Sequence, residues 1–234
     1  MKRFVLCALA FAVLSCCVST FAADNELTAQ EKADGWLLLF NGKDLTGWKN
    51  NNGKPIAETA VEDGTIQTYK CGGYILVYDK PFGDFILKCD VKTGENCNSG
   101  IFLRIENLAD PVNTGFEIQV ADSKGKPTVG SYGSFYDIKP PSENPTNGVG
   151  NWDNFEIKFQ GPNLSIKMNG KEILTTNLDE YTEPGKRDVP GDHKYKLNGK
   201  PRAIKDFARS GYLGFQDHQT RVWFKNVKLL PLDK

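Results

Sequence analysis

Apolar and polar residues alternate along most of this chain with a period of two. Phe85, Leu87, Cys89 and Val91 interleave with Ile86, Lys88, Asp90 and Lys92, and Phe155, Ile157 and Phe159 with Glu156, Lys158 and Gln160. Successive side chains of a strand point to opposite faces, so each run predicts a strand with one buried and one wetted face. The runs are separated by turn-forming groups, Asn41-Gly42, Asp63-Gly64, Gly161-Pro162-Asn163 and Asn169-Gly170, which are hairpin signals. About a dozen such strands without a βαβ rhythm imply an antiparallel, all-β fold, most simply a sandwich of two sheets, with a closed barrel as the alternative. The one helix of note before the sheets is predicted at "LTAQEKADGW": Thr28 precedes Glu31 by three positions, the capping-box spacing, and Gly35 can end the helix.

Two segments break the rhythm, residues 121–151 and 178–210. Irregular connections beyond ~12–15 residues are uncommon in a compact domain and often carry function, with disorder as the competing account. The start of the chain differs again. Lys2 and Arg3, an apolar run through Val18 and small residues near Ala22 predict a signal peptide over residues 1–23, so the protein is expected to be exported, periplasmic or extracellular. The run is shorter than the ~20 apolar residues of a spanning helix, so no transmembrane segment is expected after its removal. "VLSC" loosely fits a bacterial lipobox, which leaves a lipid anchor through Cys16 as a variant of export. The remainder, 27–234, is expected to be one domain.

The 29 basic and 29 acidic residues balance, which removes the electrostatic case for nucleic acid and points to a neutral partner. Cys7, Cys16 and Cys17 lie in the leader. Cys71, Cys89 and Cys97 can form at most one disulfide, and are expected to be buried or bridged rather than catalytic.

The alternation also places polar residues in stripes. In "GFEIQVA", Glu117 and Gln119 oppose Phe116, Ile118 and Val120; in "GIFLRI", Phe102 and Arg104 oppose Ile101, Leu103 and Ile105; in "GYLGFQDHQ", Gln216 and His218 share a face. Such stripes are commonly the solvated outside of a sandwich. Here, however, they collect planar hydrogen-bonding groups and an aromatic ring, the groups that bind sugar hydroxyls and ring C–H faces. No phosphate loop, H-E-x-x-H, C-x-x-C or EF-hand pattern is present, so no cofactor is expected; no spacing points to a metal, with a calcium or other hard cation held by carboxylates and carbonyls left open. A conventional retaining glycosidase would want two carboxylates ~5–5.5 Å apart. Gln119 stands where a second one could be.

"LTAQEKADGWLLLFNGKDLTGWK", "NSGIFLR", "FEIQVAD" and "GYLGFQDHQTRVWFKNVKLLPL" together resemble the signature segments of the 3-keto-disaccharide hydrolase family, over about residues 27–232. The resemblance implies a concanavalin A-like jelly-roll sandwich and a carbohydrate substrate, a glycoside already oxidised at C3. It carries the family's polar positions onto Asn98, Ser99 and Arg104, Glu117 and Gln119, and Gln216, Asp217 and His218. Gln219 replaces the glycine common after the histidine, and Tyr136, in "GSFYDIKPP", matches only loosely. A C3 ketone acidifies the C2 hydrogen, so the implied chemistry is proton removal at C2, loss of the C1 substituent and addition of water. His218 is the expected base, Glu117 the acid or orienting partner, and Arg104 with Gln119 the donors at the enolate oxygen. The reverse assignment, with Glu117 as base, stays open. Asp217 is expected to make a structural hydrogen bond at a strand end, and His193 to lie in solvent. A lectin-like sugar-binding module and a conventional glycosidase are the rival readings.

Overall fold

The computed structural model describes residues 23–123 and 125–233. The predicted leader and Cys16 lie outside the described residues, apart from Ala23 at the predicted leader's end. Helix α1, Ala29–Asp34, has the predicted capping box, in which Thr28 and Glu31 exchange side-chain and backbone hydrogen bonds, and Gly35 ends it at φ 89°. Short strands β1 (Leu37–Leu38), β2 (Trp48–Asn50), β3 (Val61–Glu62), β4 (Thr65–Gln67) and β5 (Ile75–Tyr78) follow. Then come β6 (Phe85–Thr93), β7 (Asn98–Ile105), a one-turn helix α2 (Pro111–Thr114) and β8 (Phe116–Ala121). After the first long connection run β9 (Trp152–Gln160), β10 (Asn163–Met168) and β11 (Lys171–Asn177). The second holds the small hairpin β12 (Lys196–Leu197) and β13 (Lys200–Pro201), and β14 (Tyr212–Gln216) and β15 (Val222–Pro231) close the fold.

Every strand pairing is antiparallel. One sheet has eight strands, in the order β11-β10-β9-β6-β15-β4-β3 with β1 alongside β15, and the other five, β2-β5-β14-β7-β8. This is the jelly-roll sandwich, not a barrel. The Asp63-Gly64 and Asn169-Gly170 pairs join β3 to β4 and β10 to β11, with both residues of each at positive φ. Two-residue hairpins prefer that twist, which Asn or Asp followed by Gly adopts at low cost.

The inner faces of the sheets meet in one apolar core. Phe215 of the five-stranded sheet stacks on Phe224 of the other at 4.0 Å, and Phe116 on Phe159 at 5.7 Å. Burying aromatic side chains of this size contributes roughly 1.5–3 kcal/mol each, the main favourable term holding the sheets face to face. A second, smaller cluster of Ile75, Val77, Phe102 and Ile105 lies on the opposite face of the five-stranded sheet, under Leu108, Val112 and Tyr212.

That second cluster reveals a departure from the alternation. Opposite β14, residues Tyr212 and Gly214 pair with Ile105 and Phe102, so two residues of β7 stand against one of β14. The extra residue is a β-bulge, and Arg104 takes φ 52° within it. Phe102 and Ile105 therefore share one face, while Arg104 turns inward with Leu103. Its guanidinium lies 4.2 Å from the Phe159 ring centroid between the sheets, donates to Gly83 O and Gly161 O, and pairs with Asp84 at 2.8 Å. Arg104 thus holds sheets and turns together; the expectation that it would stand beside Glu117 is corrected by the bulge.

Candidate active site

The outer face of the five-stranded sheet forms the site. Across its centre Val77, Gly214, Phe102 and Glu117 are successive cross-strand partners. In the next row Gln216 pairs with Ile75 and Gln119 with Gly100. Gly100 makes room for Glu117, since a Cβ there would lie 2.4 Å from the Glu117 carboxylate oxygen. The predicted grouping of Glu117, Gln119, Gln216, Asn98 and Phe102 on one face is what the pairing produces, because regular alternation holds in β8 and in the first half of β7.

The two long connections supply the walls. Gln119 N donates to Ser134 O, and Tyr136 N to Glu117 O, so residues 131–136 cover the free edge of β8 and bring Tyr136 beside the carboxyl. The 178–210 connection is tied to this loop at Asp137, whose carboxylate pairs with Arg187 and accepts from Lys194 N at 2.6 Å. Tyr195 Oη adds a bond to Tyr136 O at 3.0 Å. Lys194 is thereby aimed at the sheet: its ammonium stands 3.5 Å from the Glu117 carboxylate and 3.8 Å from the Tyr136 ring centroid.

Glu117 is 3% exposed. Burial pushes its carboxyl up to about 7, against the opposing pull of Lys194. Burial also lowers the Lys194 ammonium, which Glu117 partly offsets. Glu117 is therefore poised to take up or release a proton near neutral pH. Around it, Gln119 Nε2 donates to Asn98 and Gln216 Nε2 to the hydroxyl of Tyr74, at 3.1 and 2.8 Å. Both amide oxygens are left buried without a partner. Unpaired buried acceptors cost stability unless something fills them, and a sugar's hydroxyl groups supply the matching donors.

The remaining candidates fall elsewhere. Ser99 faces the core side with Ile101 and donates to the backbone oxygen of Gln216. Asp217, beyond the end of β14, accepts from Gln219 N, and its own amide bonds Tyr74 O, the structural role expected of it. Burial raises its carboxyl somewhat. His218 also lies beyond the strand, so the expected sharing of a strand face with Gln216 does not extend to it; it is exposed at the rim, its ring 6.5 Å from Tyr74. His193, expected in solvent, is 3% exposed, and both its ring nitrogens lack partners. It is buried because the connection folds back and packs it against Tyr195, and burial holds its imidazole below the usual range. Cys71, Cys89 and Cys97 are all free and buried, with no bridge among them.

Tyr74 and Lys194 were missed by pattern. Tyr74 precedes an apolar strand after Gly72-Gly73, where an aromatic residue reads as a strand start. Lys194 lies in a charged loop with no periodicity at all. Among the described residues no three His, Cys, Asp or Glu side chains gather as a metal-ligand set.

The outer face of the five-stranded sheet thus gathers amides, tyrosines and one buried carboxyl into a candidate active site on a jelly-roll sandwich. The chain belongs to the 3-keto-alpha-glucoside-1,2-lyase-like domain family, whose model matches residues 35–230. It is similar to a 3-keto-disaccharide hydrolase of Bacteroides thetaiotaomicron, 24% identical over 86% of this chain and 80% of the relative. A crystal structure from Parabacteroides distasonis ATCC 8503, described as that of a candidate glycosyl hydrolase, is 31% identical, covers 90% of this chain and all of its own, and superposes with a TM-score of 0.70. A second structure from that organism, 23% identical and covering 84% of this chain and 99% of its own, shares the fold at a TM-score of 0.71.

Proposed function

We propose that this protein is a glycoside-cleaving enzyme acting on sugars already oxidised at C3, by elimination and hydration. The observation that carries the reading is Glu117, a carboxyl on the outer face of the five-stranded sheet that burial pushes up to about 7, with an ammonium 3.5 Å away. A general base is most effective when its pKa lies near the working pH. Glu117 is therefore assigned the C2 proton, in preference to the exposed His218. Lys194 takes the role at the C3 oxygen, where enolate charge develops, and the free oxygens of Gln119 and Gln216 accept sugar hydroxyls. Tyr136 supplies apolar surface, while Phe102, fully buried in the cluster under Leu108, Val112 and Tyr212, supports the sheet beneath it. Family membership and the Bacteroides relative support the substrate class.

The flanking carboxylates favour elimination over paired-carboxylate hydrolysis, because Asp137 is committed to Arg187 and Lys194 N, and Asp217 to Gln219 N. The leader-like start of the chain supports action outside the cytoplasm.

The test is to incubate the purified protein with a 3-keto-glucoside and with its unoxidised parent, and to measure aglycone release. Only the keto compound should be cleaved, and Glu117→Gln should lower the rate by roughly 10²-fold or more. Equal cleavage of the parent, or full activity of the variant, refutes the mechanism. Binding without release would identify a sugar-binding module.

A further inference from the structure

We infer that Tyr74 is the acid that protonates the departing glycosidic oxygen, and the base that then activates the attacking water. The inference rests on the elimination reading above and fills the one role it leaves unassigned.

The argument starts from hydrogen-bond polarity. Gln216 Nε2 can only donate, and it donates to the Tyr74 hydroxyl at 2.8 Å. The phenolic oxygen is therefore the acceptor in that contact, and its own proton is directed elsewhere. Tyr74 is fixed from both ends, since its backbone oxygen also accepts from Asp217 N at 2.8 Å. Yet its side chain is 41% exposed, one of the two large apolar-bodied side chains that are exposed on this molecule's described residues. A tyrosine tethered at its tip by a buried amide of the site and exposed along its ring can meet both a bound sugar and the solvent into which a leaving group departs. Its electrostatic environment is consistent with a proton donor at neutral pH. Burial, then the charges of Glu117 and Tyr136, hold the phenol above its ordinary value, so it stays protonated until the reaction calls on it.

The proton balance closes with these two residues. Glu117 takes the C2 proton, and the C–H electron pair becomes the enolate. As the C3 carbonyl re-forms, the C1–C2 double bond forms, the C1–O bond breaks, and the leaving oxygen takes the phenolic proton of Tyr74. At that moment Glu117 is neutral, so the tyrosinate does not face a carboxylate. Water then adds at C1, giving its proton to the tyrosinate, while the Glu117 carboxyl returns its proton to C2. The sum is addition of one water across the glycosidic bond, with both residues restored.

The experiment compares Tyr74→Phe with wild type on two 3-keto-glucosides, one with a 4-nitrophenyl group and one with methyl as the leaving group. Nitrophenolate departs without protonation, whereas methoxide needs an acid. Read as leaving-group release in a single turnover with enzyme in excess, before water adds, Tyr74→Phe should lose roughly 10²-fold or more on the methyl compound and less than about tenfold on the nitrophenyl compound. In deuterium oxide it should still exchange the C2 hydrogen of the methyl compound, an activity that Glu117→Gln should lack. Equal losses on both compounds, or none on either, overturn the inference. So does a selective loss in His218→Gln instead, which would make the rim histidine the acid. If wild type cleaves neither compound, the elimination reading itself fails, and that result is distinct from a variant that loses leaving-group selectivity.

Discussion

Replacing Glu117 by glutamine should make the protein more stable above neutral pH while destroying its activity. The carboxyl titrates at about 7 in the fold against an ordinary 4.5, with desolvation as the largest cause. Between those two values the folded chain holds a proton that the unfolded chain has released. Stability therefore falls as pH rises through this window, and the cost is complete above it. At 1.36 kcal/mol per pH unit, the interval of about 2.5 corresponds to about 3 kcal/mol spent on keeping the charge buried. Glutamine has nearly the shape of the protonated acid and carries no charge. At pH 8 the variant should gain up to that amount, and near pH 4 almost nothing, because the wild-type carboxyl is then neutral in both states. For a domain of this size the gain is roughly 6–12 °C in Tm. Thermal melts of both proteins at the two pH values measure it as a difference of differences, which cancels the other titrating groups. A variant that melts at the same offset from wild type at pH 4 and pH 8, or that is the less stable at pH 8, refutes the burial argument.

The same titration should appear in kinetics: kcat/KM on a 3-keto-glucoside should rise with an apparent pKa of about 7 as Glu117 ionises, and a flat profile from pH 5 to 9 would remove Glu117 as base. Gly100→Ala would place a methyl 2.4 Å from the Glu117 carboxylate oxygen, so a displaced carboxyl should cost roughly 10–100-fold in rate with little change in Tm; an unchanged rate would mean that its position is not critical. Arg104→Met leaves Gly83 O and Gly161 O without the guanidinium donor and Asp84 with only Gly161 N, which should cost about 2–4 kcal/mol in denaturant unfolding while the folded enzyme keeps its rate; a rate loss without a stability loss would return Arg104 to the site. Burial pushes the thiols of Cys71 and Cys97 up to about 12 and raises Cys89 as well, so a thiol reagent should label none of them in the native protein and all three once it is unfolded; rapid native labelling would contradict their burial.

The strands, their hairpins and the first helix are legible in the chain because each follows from short-range rules: period-two alternation, Asp-Gly and Asn-Gly turn chemistry, and a capping box. For the same reason the pairing of Glu117 with Gln119 on one face of β8 could be read from six residues. Arg104 could not, because a bulge is one strand's adjustment to its neighbour, and the residues flanking it look like an unbroken alternation. His193 and Lys194 are adjacent in a polar loop, yet one is buried and the other reaches a carboxyl. Asp137, more than fifty residues away, anchors that loop and decides where each goes. The chemistry of Glu117 lies furthest from the sequence. Its type and face are local facts, but its readiness to take a proton near neutrality comes from desolvation by everything packed around it, and only the assembled sandwich and its two long loops provide that.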